Sequence, residues 1–183
     1  LWIVFALVAA LADALRSTFS KVALRQIDSL FVGWAMVTLQ GLFLLPALFY
    51  IDIPPIKNSF WPFFIGGSTL DIIATIFYMR AVQNSDLSIT IPLLSLSSLF
   101  VLLLSPIINQ EWPNLQGFSG VLVICIGTYV LRIDSRHTGW AGPFRALAQE
   151  KGARQMLVTA FLWSVTTSIH KQGILNSSPL FWP

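Results

Sequence analysis

Charge is what this sequence has least of: Asp, Glu, Lys and Arg supply 10% of its 183 residues, against about a quarter in an ordinary soluble domain. A water-facing globule is therefore excluded. Cysteine is almost missing as well, and the lone Cys125 rules out an internal disulfide and any Cys-based metal site while leaving the redox compartment open. The two histidines, His137 and His170, are far apart in the chain and do not predict a metal centre. No Gly-rich phosphate loop, HExxH or Ser-His-Asp spacing is present, and Gly66-Gly67 precedes no Walker lysine. Direct use of ATP has no support, and the expectation is a protein that is not an enzyme and carries no cofactor. The formal charge of +3 rests on only 11 Lys and Arg, placed mostly in connections, so no nucleic-acid surface is expected.

What is there is apolar: 55% hydrophobic residues and a mean hydropathy of +0.73. Roughly 20 residues of helix cross about 30 Å of hydrocarbon, and six windows meet or approach that length: Trp2 to Leu24, Leu30 to Ile51, Phe60 to Val82, Leu87 to Ile108, Leu115 to Leu131 and Met156 to Leu175. All six are expected to be helices, because open strands leave backbone groups unsatisfied in lipid. Polar, Pro-bearing connections separate them, such as Ile53-Pro54-Pro55-Ile56-Lys57 and Asn109-Gln110-Glu111-Trp112-Pro113-Asn114. Trp2, Trp61, Trp112, Trp140 and Tyr50 lie near segment ends, where an amphipathic ring suits the interface. The first window is interrupted by Asp13, Arg16 and Lys21 and lacks a small-residue cleavage site, so it reads as a mature helix, not a signal peptide. Leu1 is not a start methionine, and the chain reads as an excerpt of a longer protein.

The stretch Ser17 to Gly33 has a degenerate echo at Thr167 to Pro183: Lys21 falls on Lys171, and Leu30-Phe31 on Leu180-Phe181, at an offset of about 150 positions. Five long apolar segments fill the interval. An odd count sends the second copy into the membrane from the opposite side, which is the mark of an inverted repeat. The connection from Arg132 to Arg154 is long and basic, and its piece Pro143 to Gln149 reads as a short surface helix. By the positive-inside rule this connection faces the cytoplasm, with Lys21, Arg25 and Arg80 on the same side and the N-terminus outside.

Ionisable residues inside the windows carry the functional reading. Asp13, Arg16, Ser17 and Ser20 share a stripe of the first helix with Ala6 and Ala9, and Asp13 can pair with Arg16 at i and i+3. A transport pathway and a structural ion pair both fit, since such groups normally face a bundle interior or a wet cavity. The third helix carries Asp71, Thr75 and Tyr78 with Gly67; Asp71 near its middle is the best candidate for a proton-coupling carboxylate, or else is held by hydroxyls or by Arg16. Arg80 reads as snorkelling. Pro92, with Ser88, Ser95, Ser97 and Ser98 around it, predicts a kink near a cavity, or serines that allow close packing. Gly117, Gly120 and Gly127 read as a packing face, Cys125 as a small filler, and Lys171 as either a cavity group or a snorkelling one.

The run Tyr78, Ala81, Ser85, Pro92, Phe100, Glu111, Gln116, Gly117, Gly120 and Gly127 resembles the EamA domain of the drug/metabolite transporter superfamily. The resemblance covers Trp2 to Leu131, and Met156 onward is similar to the opening of a second such domain. It implies an all-α integral membrane fold: a five-helix half, residues 1–132, then a basic connecting loop, 133–154, and the truncated start of an inverted second half, 155–183, with ten helices in the complete protein. A substrate cavity would lie between the halves. The motif transfers no binding residue. Its family members usually have a cytoplasmic N-terminus, and the charges here argue the reverse.

The expected function is a secondary-active transporter, an exporter or exchanger of a small metabolite or drug-like compound working by alternating access. The competing reading is a non-transporting scaffold or lipid-carrier flippase subunit; Asp13, Arg16 and Asp71 favour a wet pathway over it. Pathway candidates are Asp13, Arg16, Ser17, Ser20, Asp71, Thr75, Tyr78, Pro92, Ser95 and Lys171. Expected partners are the lipid bilayer and a small-molecule substrate, with protons as candidate coupling ion, a homodimer as candidate assembly and no nucleic acid. The expected location is a bacterial inner membrane, crossed several times.

Overall fold

The computed structural model describes residues 2–50, 55–130, 149–178 and 181–182. All regular structure among them is helical: α1 (Trp2–Ala23), α2 (Ser29–Leu44), α3 (Phe60–Asn84), α4 (Leu87–Leu94), α5 (Ser97–Ile108), α6 (Leu115–Val130) and α7 (Lys151–Leu175), with a short 3-10 turn at Leu45–Phe49. Local chemistry fixes the ends. The Asp28 carboxylate accepts from the Leu30 amide at 2.8 Å and starts α2, and Asn114 does the same for Gly117 at 2.7 Å before α6. Between α5 and α6 Gln110 takes a positive φ of 56°, a single left-handed residue that turns the chain after the helix.

The fourth window is two helices. Pro92 has no amide to give, and beyond it Ser95 and Leu96 donate instead to Pro92 and Leu93, three residues back, at 3.2 and 3.1 Å. Ser95 Oγ adds a bond to the same Pro92 carbonyl at 2.6 Å. The expected kink is therefore a tightened turn that breaks the α-helical ladder and lets α5 set off afresh at Ser97.

Side-chain pairings give the helix directions. Ser17 meets Tyr78 and Lys21 meets Val82, both numbers rising together, so α1 and α3 run the same way. Against α7 the numbers run oppositely: Asn84 bonds Gln155, Asp71 bonds His170, and Ser59 bonds Asn176. Hence α7 opposes both α3 and α1. It lies along the whole of α3 and also packs on α4 and α5, while α6 leans on α5. The apolar core sits at one end of this seam, where Leu24, Val32, Tyr78, Met79, Ala81, Val82 and Leu93 close on Ala153 and Met156.

Three helical stretches are long and apolar enough to cross a membrane: Ile3–Ala23, Phe60–Asn84 and Thr90–Ile108. Their large apolar side chains, such as Phe5, Leu7, Ile65, Ile72 and Leu103, point outward, as lipid contact requires. At 25 residues α7 is as long as α3, but it is more polar because its neighbours, not lipid, cover it: nine of its residues are buried, among them Thr159, Ser164, Thr166 and Ser168.

Two sequence expectations change, and a third is not tested. The sixth helix begins at Lys151, not Met156, so Lys151 and Arg154 sit on the helix and not in the connection. Gly120 and Gly127 face open space, and a side chain at Gly117 would meet Asn114 of its own capping turn; among the described residues the glycine face of α6 meets no other helix. Close approach falls instead to Gly152, where an added Cβ would lie 2.9 Å from the Ala81 carbonyl oxygen and against the Ser85 side chain. The segment Pro143 to Gln149, read as a surface helix, lies outside the described residues save Gln149.

Candidate functional site

Two adjoining cavities open between α2 and α3, and Asp71 lines both. The first, of 580 Å³, is walled by apolar side chains including Trp34, Val37, Ile72, Ile76 and Met79, with Ser29, Ser68 and Thr75. The second, of 440 Å³, is more polar: Arg16 from α1, Gln40 from α2, Asp71, Thr75 and Tyr78 from α3, and Trp163 from α7. Asp71 and Thr75, one turn apart on α3, thus stand at the boundary between an apolar chamber and one that holds a cation, an amide and a phenol.

The Asp71 carboxylate does not pair with Arg16. Its Oδ2 lies 2.8 Å from His170 Nε2 on α7, with each side chain about a third exposed, at 34% and 37%. On the far side of the ring, Trp182 Nε1 donates to His170 Nδ1 at 2.9 Å. Arg16 is held by Asp13 at 2.6 Å on α1. Tyr78 has its hydroxyl 3.1 Å from the buried Ser17 Oγ and its ring against Trp163, centroids 5.3 Å apart. Its hydroxyl is thereby fixed toward α1 and its ring toward α7.

Arg16, Asp71, Thr75 and Tyr78 are the sequence candidates that come together here. Asp13 stands one contact behind Arg16, and Ser17 one contact behind Tyr78. Ser20 turns back onto the Arg16 carbonyl at 2.6 Å and against Met36. Pro92 and Ser95 belong to the α4–α5 break, where Ser95 Oγ also meets Thr128 of α6 at 3.2 Å. Lys171 pairs with Glu111 of the α5–α6 connection, and neither it nor those three lines either cavity. Sequence reasoning did not find His170 as the partner of Asp71, nor Gln40, Trp34 and Trp163 as wall residues. Gln40 was detectable as the one amide inside an apolar helix, and His170 as an ionisable group within a spanning window. Among the described residues no three His, Cys, Asp or Glu side chains converge as a metal site would require.

The end of the seam that holds the apolar core also gathers positive charge. Arg80 and Lys151 line a polar notch of 320 Å³ with Asp28, Gln83, Asn84 and Gln155. Lys21 lies at the same end, its ammonium donating to the Val82 and Ser85 carbonyls at 2.6 and 2.7 Å, which closes the open C-terminus of α3.

A family-model comparison matches the EamA-like transporter family over residues 1–133. The chain belongs to that family. No curated protein and no solved structure gives a significant match. An EamA-like chain with these apolar helices is an integral membrane protein of transporter type.

Proposed function

We propose that this chain forms part of a secondary-active transporter, an exporter or exchanger that moves a small metabolite or drug-like compound by alternating access between two inverted five-helix repeats. It is not an enzyme in this reading. The observation that carries it is Asp71: a carboxylate on the wall of two cavities, hydrogen-bonded across the seam to α7, which this reading takes as the start of the second repeat. A group so placed feels both the cavity contents and the packing of α3 against α7, and that coupling is what alternating access needs. Arg16 supplies the complementary charge in the second cavity. Protons are the coupling ion that a carboxylate–imidazole pair suits best, because either partner can carry one.

The opposed directions of α1 and α7 support the inverted repeat, whose two copies would superpose after a rotation of about 180° about an axis in the membrane plane. The clustering of Lys21, Arg25, Arg80, Lys151 and Arg154 at one end of the bundle supports a cytoplasmic face there, in a bacterial inner membrane. Impermeant thiol labelling of a cysteine at Thr138, in a Cys125→Ala background, tests that orientation; labelling in intact cells refutes it.

The deciding experiment is substrate flux into liposomes containing the complete protein, with and without a pH gradient. Asp71→Asn is expected to abolish the response to the gradient without loss of expression. A scaffold or flippase subunit would give no flux in either form, and a gradient response untouched by the substitution would make Asp71 structural.

A further inference from the structure

The first cavity and the polar notch share a border. Ser29 and Leu30, in the first turn of α2, line both, so a groove runs from the basic end of the seam into the depth of the bundle. Leu30, Trp34 and Val37 wall it on α2, and Ile72, Ile76 and Met79 on α3, each set on one face of its helix. Between them Gly33 adds no side chain, and α2 approaches α3 so closely there that a Cβ would lie 3.3 Å from the Met79 Cγ. Along α3 the groove runs from Met79 to Ser68, about 16 Å at about 1.5 Å per residue. Half of the about 30 Å of membrane hydrocarbon is nearly the same depth. Trp34, Val37 and Ile72 are each more than half exposed, so the groove also opens sideways, where the surrounding medium is lipid.

At the mouth of the groove the notch carries two cations and one anion. Arg80 and Lys151 are both exposed, and neither pairs with a carboxylate among the described residues. Asp28, the anion, accepts from the Leu30 amide at the head of α2. Gln155 accepts from Asn84 at 2.8 Å, which leaves its own amide hydrogens to donate. At the same end Lys21, Arg25 and Arg154 outnumber Asp86 and Glu150. A guanidinium, an ammonium and an amide around 320 Å³ suit a phosphate group, which Arg and Lys hold by charge-assisted hydrogen bonds.

We infer that notch and groove together form a site for one anionic phospholipid, its phosphate at Arg80 and Lys151 and one acyl chain along the groove between α2 and α3. Charge complementarity selects the headgroup, as it does in other basic pockets between membrane helices. The apolar walls and the sideways opening select a bilayer lipid over a soluble phosphate, which would leave the groove unfilled. Arg80 stands on α3, Lys151 on α7 and Trp34 on α2, so a single lipid touches three helices. It is a resident of the bundle and not its cargo. Asp71 and Thr75 border the groove on the side of the second cavity, where the Asp71 carboxylate is taken up by His170. The second cavity, with Arg16, Gln40 and Tyr78, is left to water and to the transported compound.

The site stands whether or not the chain transports anything, and its test needs no substrate. The complete protein is placed at fixed salt in nanodiscs of phosphatidylcholine with a minority of phosphatidylglycerol. Bromines are carried on the acyl chains either of the phosphatidylglycerol or of an equal amount of the phosphatidylcholine, so that total composition stays the same. Bromine quenches tryptophan fluorescence on contact, and Trp34 lies in the groove. Brominated phosphatidylglycerol should quench more strongly than brominated phosphatidylcholine, and Trp34→Phe should remove that excess. Arg80→Gln and Lys151→Gln should each lower the preference about fivefold, the effect of one cation near an anionic surface, while Lys151→Arg should keep it. Added glycerol phosphate, a headgroup without chains, should leave the excess in place. Equal quenching by the two lipids, an excess that survives Trp34→Phe, or one indifferent to both charge substitutions overturns the proposal. Loss of the excess to glycerol phosphate overturns it as well, and makes the notch a site for soluble anions only.

Discussion

Helices α1 and α7, which the sequence reading aligns at an offset of about 150 positions, have surroundings that differ sharply. Most of α1 is open, with Phe5, Leu7, Val8, Leu11 and Phe19 all more than half exposed, while α7 has nine buried residues and touches three other helices. Matching positions consequently do different work. Lys21 closes the end of α3 through two carbonyls, whereas Lys171 meets a single carboxylate, Glu111, at 42% exposure. The same residue type on the two helices takes its role from its neighbours. A helix covered by protein can hold serine, threonine and histidine in place, and one covered by lipid cannot.

The comparison breaks most easily at Gly152. Gly152→Ala puts a methyl 2.9 Å from the Ala81 carbonyl oxygen, a backbone atom that cannot step aside, so α7 must move off α3. We expect a loss of about 3 kcal/mol, the upper range for overpacking a filled interior, measured as unfolding of the detergent-solubilised protein. A loss below about 1 kcal/mol would mean that the seam is looser than its packing implies.

Lys21→Met sharpens the contrast next. The substitution keeps the stem and removes two charge-assisted hydrogen bonds at 2.6 and 2.7 Å, leaving both carbonyls at the end of α3 without their donor. About 2 kcal/mol should be lost, within the range for bonds to a charged group. Lys171→Met should cost less than about 1 kcal/mol, because its ion pair with Glu111 is half exposed and screened. Equal losses at the two lysines would erase the distinction between α1 and α7 that the contacts draw.

Why some of this was legible in the sequence and some was not follows from range. Helix existence depends on runs of apolar residues, and the Pro92 break on one residue's missing amide; both are local and both were readable. The Asp71–His170 bond joins residues 99 positions apart, and nothing near either residue announces the other. The start of α7 was set too late because Lys151 and Arg154 look like loop charges until Asn84 is seen bonding Gln155 across the seam at 2.8 Å. The glycines failed for a related reason: spacing shows which ones share a side of a helix, and only packing shows what that side faces.

That failure makes the smallest and most pointed prediction. Gly120 and Gly152 both sit within helices, and a methyl group added at Gly120 meets nothing within 4 Å. Intrinsic helix preference then decides the outcome at Gly120, and alanine is favoured over glycine by roughly 0.5–1 kcal/mol because it leaves less backbone freedom to lose. Gly120→Ala should therefore stabilise the protein slightly, by about 0.5 kcal/mol, where the same substitution at Gly152 destabilises it. Unfolding midpoints of the two variants in one detergent, compared with the native protein, give the signs directly. If Gly120→Ala were instead as damaging as Gly152→Ala, α6 would have to be packed against a surface that this chain by itself does not supply, and the glycine face read from the sequence would regain its meaning as a contact with another copy or another part of the assembly.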